Sequence, residues 1–496
     1  MSSRFRVLAS SSGRDKRQAT LRATLDWSWE LMTPAEQGAF AQMAVFERGF
    51  DLEAAEAIID VQHVDDGAWT LDLVQALVDQ SMLRAQDNER FSMLVSVHEY
   101  AQIKLDESNE RAVTEQRHGE WYAQLGTPES LNAMVGHHGA QSRQHLLDEV
   151  DNLLVANRRA VDHSNNQIAA NTALAAWVSV TLTVPLAVGL RVFKRTLALP
   201  NLTTEQRARL LERAGFAAWS NGDNEEAATH FEQGLQAARA VNSPHLTATI
   251  LTHQAFVCEH SGQTDDAKHL FEQAIATAPD DGHPIARGRA LHGLGNLEQL
   301  CGDLDNAQLH LDQALEIHTT FGDERSAAKA LGFLGNLSFQ RGQLDAAEDH
   351  YRSAHTIYTG MRDRRSASWA LGNVGVVHAE RGDVELACDT FEEALQVHQE
   401  VGDRRTAGVV MNNLAEMYRL LGRRARARSL FQQSLAVNRE VGSLQFEGIV
   451  LGNLGSMLRE DGQLDTALDL LNQAIRCMQA AGDVWSEADT WVEWPA

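Results

Sequence analysis

Leu331–Ala354 reads LGFLGNLSFQRGQLDAAEDHYRSA. Two runs of good helix formers meet at Gly342, the residue best suited to the positive φ that ends a helix. The pattern recurs. Gly222, Gly262, Gly302, Gly342, Gly382, Gly422 and Gly462 are spaced by 40 residues throughout. Five positions after each stands an alanine: Ala227, Ala267, Ala307, Ala347, Ala387, Ala427 and Ala467. Four further on is a large apolar residue: Phe231, Phe271, Leu311, Tyr351, Phe391, Phe431 and Leu471. Three beyond that is a small one, from Gly234 and Ala274 to Ser434 and Ala474. Upstream, Gly215, Ala255, Gly295, Gly335, Gly375, Ala415 and Gly455 keep one further position small. Each unit therefore reads as two helices joined at the glycine, close-packed through the alanines, with the large residue filling the space between neighbours. A second turn, such as Gly322-Asp323 or Gly402-Asp403, ends the other helix, and its Asp can cap the next. One such unit cannot bury its apolar face alone, so the units must stack.

These positions resemble the tetratricopeptide repeat (TPR) in a forty-residue version with longer helices. LGNLG at Leu451–Gly455 and GFLGN at Gly332–Asn336 look like its leucine-glycine-asparagine variety. The usual late proline is missing, and Leu291, Leu331, Leu371 and Leu451 stand where the early tryptophan is usual. The resemblance covers roughly 203–482 and implies an all-α fold, a superhelical solenoid of seven units. Asp483–Trp494, with Trp485, Trp491 and Trp494, reads as a partial C-terminal helix within 483–496; it caps the last repeat, or the array stops there.

Upstream the pattern changes. Thr20–Met32 reads as an amphipathic helix with Leu21, Leu25 and Leu31 among its apolar positions. Thr33, Pro34 and Glu36 form a capping box that starts a second helix. Gly49–Ile59 opens a third and Leu71–Leu83 makes a fourth. MLRA and RFSML then flank Gln86–Glu89 as a hairpin. Helices followed by a hairpin form a winged-helix pattern, placed at 20–108, with a helical connector at 109–202 and a flexible leader at 1–19. The residues Trp27-Ser28, Val45-Phe46, the Ser81 region and Glu99-Tyr100-Ala101 resemble the winged-helix segment of bacterial STAND-type signalling ATPases, many of them transcriptional regulators. Glu149–Val161 resembles the helical entry to their TPR sensor. The resemblance implies a relay and a sensing arm. It implies two partners: a protein or peptide in the repeat groove, and a nucleotide-binding module. No GxxxxGK[ST] phosphate loop occurs in the chain, and Gly13-Arg14-Asp15-Lys16 lacks the second glycine, the Ser/Thr and the preceding strand. ATP binding is therefore not carried over, and Arg4–Leu8 looks like the end of a missing module. A fragment, a split gene product and a free-standing sensor half all fit.

Composition narrows the function. Asp and Glu outnumber Lys and Arg 68 to 43, a formal charge of −25, which repels nucleic-acid phosphates. Leu71–Ser81, the recognition helix of a winged helix, carries Asp72 and Asp79 and no Lys or Arg, so a packing role outweighs DNA contact there. Cys258, Cys301, Cys388 and Cys477 lie far apart and read as reduced, mostly buried thiols of a cytoplasmic protein. His137-His138 and His145 lack a carboxylate or cysteine placed to complete a metal set. Neither a GxSxG elbow nor a distinctive carboxylate pair is present. The expectation is no enzyme, no cofactor and no metal. Thr172–Leu190 is uncharged, but Pro185 divides it, so it reads as two buried helices meeting near Val184 rather than a membrane span. Nothing in the sequence fixes an oligomeric state, and an oligomer is compatible with it.

The surface that remains is the concave face of the array. Asn296, Asn336, Asn373, Asn413 and Asn453 fall on or near it, with Gln299, Arg419 and Arg459 following on the same helices. An amide side chain both donates to and accepts from a peptide backbone. Arg364-Arg365, Arg404-Arg405 and Arg423-Arg424 read as solvated turns and helix starts, with gripping an acidic partner as the lesser reading. The expected function is a non-enzymatic TPR sensor or scaffold. The alternatives are a DNA-contacting regulator and the sensor half of an ATPase completed by another chain.

Overall fold

A computed structural model describes residues 14–62, 67–86, 89–134, 139–183, 186–278 and 284–481. They form two compact units, 1–261 and 262–496.

The first unit opens with α1 (Arg14–Leu31) and α2 (Pro34–Gln42). Helix α1 starts earlier than expected, in residues read as leader. Of its three leucines only Leu25 is buried, while Leu21 and Leu31 are exposed. Trp27 also faces outward, and Trp29 turns inward against Phe40 and Tyr100. The capping box forms: the Thr33 amide donates to Glu36 Oε2 at 2.7 Å, and the Glu36 amide donates to Thr33 Oγ1 at 3.3 Å. The helix expected at Gly49–Ile59 is shorter, because Phe50–Asp51 is strand β1 and only Leu52–Ile58 is helical (α3). Helix α4 (Thr70–Asp79) also stops early. Ser81 adopts φ 60°, and the Met82 amide donates back to the Leu77 carbonyl, which closes the helix. Strands β2 (Arg84–Ala85) and β3 (Arg90–Ser92) form the wing. The sheet is antiparallel in the order β1-β3-β2, with Phe50 opposite Phe91 and Arg84 opposite Ser92.

Helix α5 (Val95–Ser108) ends the stretch read as a winged helix, and the connector follows with α6 (Arg111–Gln124), α7 (Pro128–Ala133), α8 (Gly139–Asp148), α9 (Val150–Asp162), α10 (Asn166–Thr183) and α11 (Leu186–Leu197). One apolar core joins Phe40, Phe50, Leu77 and Tyr100 to Tyr122, Leu153 and Ala175. Winged helix and connector therefore share a core. The uncharged stretch divides into α10 and α11, and Val184-Pro185 lie outside the described residues. No described helix is long and apolar enough to cross a membrane. The unit closes with α12 (Thr204–Ser220), α13 (Asn224–Ala240) and α14 (Pro244–His260).

The second unit continues the repeats: α15 (Thr264–Thr277), α16 (Ile285–Leu300), α17 (Leu304–Phe321), α18 (Glu324–Gln340), α19 (Leu344–Gly360), α20 (Arg364–Arg381), α21 (Val384–Glu400), α22 (Arg404–Leu420), α23 (Arg424–Glu440), α24 (Leu444–Glu460) and α25 (Leu464–Ala481). Each column of the sequence pattern has one job. The alanines five after the turn glycine are buried, and so are the seven large residues. The upstream glycine leaves room for that large side chain: a Cβ on Gly335 would lie 2.6 Å from the Tyr351 ring, and one on Gly295 2.8 Å from Leu311 Cγ. Asp323, Asp363 and Asp403 cap α18, α20 and α22 through the amides of Ser326, Ser366 and Thr406, each cap contributing about 1 kcal/mol. Residues 482–496, including the expected C-terminal helix, lie outside the described residues.

The thiols are less buried than expected. Cys388 is buried, Cys258 and Cys477 are half-buried, and Cys301 is exposed.

Candidate binding face of the repeat array

The predicted residues fall into three columns counted back from the turn glycines. Asn373, Asn413 and Asn453 stand nine before Gly382, Gly422 and Gly462. Asn296 and Asn336 stand six before Gly302 and Gly342, and Gln299, Arg419 and Arg459 three before theirs. Steps of three keep these columns on one face of the first helix of each pair. The asparagines are all half-buried, as are Arg419 and Arg459.

Their engagements differ. Asn453 Nδ2 donates to Asn412 Oδ1 at 3.0 Å, and Asn412 Nδ2 donates to Asn413 Oδ1 at 3.4 Å. These amides join α22 to α24. Asn373 Nδ2 is buried without a hydrogen-bond partner among the described residues. Asn336 is committed elsewhere, because Tyr351 donates its hydroxyl to Asn336 Oδ1 at 2.7 Å. Gln299 corrects the expectation of a groove-lining side chain: it is buried, and its Oε1 has no hydrogen-bond partner among the described residues. Arg419 is held between Glu416 (2.9 Å) and Glu460 (2.5 Å), so its charge is neutralised within the protein. The face thus offers amides and compensated charge.

Sequence reasoning missed Asn412, the buried link between Asn413 and Asn453; the doublet Asn412-Asn413 was its signal. It also missed the same columns in the first unit. There Phe216, Trp219, His253 and Phe256 occupy the nine, six and three positions before Gly222 and Gly262. Phe216 packs on Trp219 (5.5 Å between centroids) and on His253 (5.0 Å), and Trp219 lies nearly parallel to Phe256 at 6.5 Å. The equivalent face is aromatic there and amidic in the second unit.

Four of the six doublet arginines, and Arg325 beside them, are tied into the array. Arg325 pairs with Asp363 at 3.1 Å, Arg365 with Asp403 at 3.8 Å, Arg404 with Glu440 at 2.5 Å, Arg424 with Glu460 at 3.1 Å and Arg364 with Glu400. Each pair spans about one repeat, so the charges stitch neighbours together. Between half-exposed partners each contributes at most about 1 kcal/mol.

Carboxylates do stand beside His145, contrary to expectation. Its Nδ1 is 3.6 Å from Asp51 Oδ2, and ligand atoms of Asp51, His145 and Glu149 lie within 4.8 Å of one another. The Glu149 oxygens are already engaged: Tyr122 and Asn152 each donate to Oε2 at 2.7 Å, and Arg90 pairs with Oε1. Asp51 Oδ1 caps Ala54. A guanidinium and a filled set of hydrogen bonds suit a buried clamp better than a cation site. Asn152 extends the clamp, donating to the Gly49 carbonyl at 2.8 Å and accepting from the Glu47 amide at 2.7 Å. Burial, then the Glu149 charge, pushes the Tyr122 phenol far above its ordinary range. Wing and connector are held as one piece. His137 and His138 lie outside the described residues.

Comparison with known proteins agrees with the repeat geometry. Residues 196–358 match the MalT-like TPR region, and residues 366–440 and 408–480 match the tetratricopeptide repeat model. The chain carries tetratricopeptide repeats. Outside the family models, a Mycobacterium tuberculosis protein named "Putative HTH-type transcriptional regulator Rv0890c" is 37% identical over 156 residues, 31% of this chain. The chain spans only 17% of that protein's length. "Uncharacterized protein Rv0894" of the same organism is 35% identical over 114 residues, covering 22% of this chain and 29% of that one. Among solved structures, a STAND protein with a tetratricopeptide repeat sensor from Pyrococcus horikoshii aligns over 82% of this chain and 63% of its own, at 12% identity and a TM-score of 0.44. The amide row lies within the matched TPR segment at 366–480.

Proposed function

We propose that the chain is a non-enzymatic TPR sensor or scaffold of bacterial signal transduction or transcription regulation, and that it binds a protein or peptide in the cytoplasm. The observation that carries this is the amide row of α20, α22 and α24. Asn373, Asn413 and Asn453 repeat at the 40-residue period on one face, and Asn373 keeps a donor unused. Neutral amides at a fixed repeat suit an extended main chain, which presents its own donors and acceptors at regular intervals. The neutralised Arg419 makes an ionic grip on a charged terminus the poorer fit. The regulatory part of the reading draws on the name of the mycobacterial relative. In it the winged helix (20–108) and connector (109–202) relay the state of the array (203–482) to a further partner, a nucleotide-binding module among the candidates.

Selection of binding decapeptides from a displayed random library, followed by calorimetry on the winners, tests the assignment. Asn413→Ala with Asn453→Ala is expected to weaken the selected peptides about ten-fold, the loss of one or two hydrogen bonds. Equal affinity for the wild type and this double variant, at unchanged helicity, removes the amide row from the site.

A further inference from the structure

Helices α21, α22 and α23 line a second feature that is open to solvent. It is a cavity of about 270 Å3 lined by Glu392, Leu414, Tyr418, Arg426, Ser429 and Leu430. Leu414 and Tyr418 lie on the face of α22 opposite Asn413, Glu416 and Arg419, so the cavity is separate from the amide row. Leu414, Leu430 and the Tyr418 ring give it an apolar floor. Tyr418 donates its hydroxyl to Glu392, the acid on the rim, and so holds that carboxylate in place. The guanidinium carbons of Arg423 and Arg426 each stand 5.5 Å from the centre of the Tyr418 ring. Both side chains are exposed, and neither is in an ion pair among the described residues. Arg424 and Arg428, on the same turns, are paired with Glu460 and Asp461. Ser429 Oγ accepts from Gln433 at 3.1 Å and keeps its own proton to donate.

This charge is out of pattern. Arg423 occupies the position after the turn glycine that Asp223, Gln263, Asp303, Gln343, Asp383 and Gln463 fill elsewhere. A cation there opposes the helix dipole. The departure concentrates positive charge at one point of a chain with a net charge of −25. Two uncompensated guanidinium groups beside an apolar floor match a carboxylate next to an apolar side chain. A nucleic-acid backbone fits poorly, because it has nothing to rest on Leu414 and Leu430.

We propose that this cavity binds an acidic peptide segment of a partner protein. One aliphatic or aromatic side chain rests on Leu414 and Leu430, and a flanking carboxylate sits between Arg423 and Arg426. The rest of the acidic surface turns such a segment away, so the cavity fixes where it lands.

Fluorescence anisotropy with the full chain and the labelled synthetic peptide Glu-Asp-Leu-Trp-Glu-Asp tests this. Saturable binding with a Kd on the order of 10 μM is expected. Arg423→Glu with Arg426→Glu should weaken it about ten-fold or more, and raised salt should weaken the wild type in the same direction. Arg209→Ala, in the first unit and outside both sites, should leave it unchanged. No saturable binding by the wild type overturns the proposal, as does undiminished binding by a helical, folded double variant. Tighter binding after deletion of residues 483–496, which carry Asp483, Glu487, Asp489 and Glu493, also overturns it. That result assigns the cavity to the chain's own acidic segment.

Discussion

Arg362 stands at φ 57° in the turn between α19 and α20, where Gly322, Gly402 and Gly442 hold the same register at 72°, 71° and 70°. A side chain in the left-handed region costs about 1–2 kcal/mol that glycine does not. Arg362→Gly is therefore expected to raise stability by roughly 0.5–1 kcal/mol in urea unfolding, after the entropy of the freer unfolded glycine is subtracted. A loss of stability would show that the Arg362 side chain, not the turn geometry, decides this position. His318 raises a different question at the same scale. Burial holds its imidazole down to about 4, from an ordinary value of 6.5. The unfolded chain then binds the extra proton first, so the stability this neutral histidine contributes is present above pH 6.5. It is lost as pH falls from 6.5 through about 4. The full effect is about 3 kcal/mol, taking 1.36 kcal/mol per unit. The repeats supply the control. His318 packs on Gly288, whose added Cβ would lie 2.8 Å from the His318 ring. Four helix pairs further on, Met478 packs on Gly448 in the same way. His318→Met should thus fold, and should lose roughly 2 kcal/mol less than the wild type between pH 7 and pH 4.5. Equal acid losses in the two proteins place the titrating group elsewhere.

At the scale of elements, helix contacts decide what a glycine is for. A Cβ on Gly335 meets the Tyr351 ring at 2.6 Å, so Gly335→Ala should cost about 1–3 kcal/mol by overpacking α18 against α19. A Cβ on Gly452, inside α24, meets nothing within 4 Å, so Gly452→Ala should gain about 0.5–1 kcal/mol from helix propensity alone. Thermal unfolding of both variants checks the pair, and the idea fails if the two shifts share a sign. This difference also shows what the sequence could reveal. Gly335 was legible because its column stays small at every repeat. The period sets helix pairing, turn geometry and the burial of Tyr351 together. Strand β1 was not legible: it is two residues long, and its pairing depends on Phe91 and Arg90, far along the chain. The candidate face was legible as columns but not as contacts. Asn336 and Asn373 both follow Leu-Gly but stand in different columns; Tyr351 reaches Asn336, while the Asn373 donor has no partner among the described residues. Asn453 finds Asn412 across 41 residues, a distance that helical periodicity alone does not reach. The Glu149 clamp escaped for the same reason, since Arg90, Tyr122 and Asn152 come from three elements.

At the scale of the whole molecule, charge separates two ways for a winged-helix protein to regulate. A helix that reads DNA needs cations to meet phosphates, and each phosphate contact adds to the salt dependence of binding. Helix α4 carries Asp72 and Asp79 with no Lys or Arg, while Arg90 of the wing is bound to Glu149. Around them the chain has a net charge of −25. Non-specific affinities of roughly 10−4 to 10−6 M at physiological salt come almost entirely from phosphate neutralisation, and the described surface supplies little of it. The transcriptional name of the mycobacterial relative attaches to a protein of which this chain spans 17%. It therefore does not oblige this segment to touch DNA. A 30-base-pair duplex is expected to show no retarded complex at about 0.15 M salt and protein concentrations up to roughly 10 μM. A complex that forms and weakens steeply with salt would assign phosphate contacts to this chain and favour the DNA-contacting reading. A complex unchanged by Arg84→Ala would place those contacts away from the wing. Absence of any complex leaves the output of the molecule to protein contacts, with the amide row on one face of α22 and the arginine-rimmed cavity on the other as separate candidates for two partners.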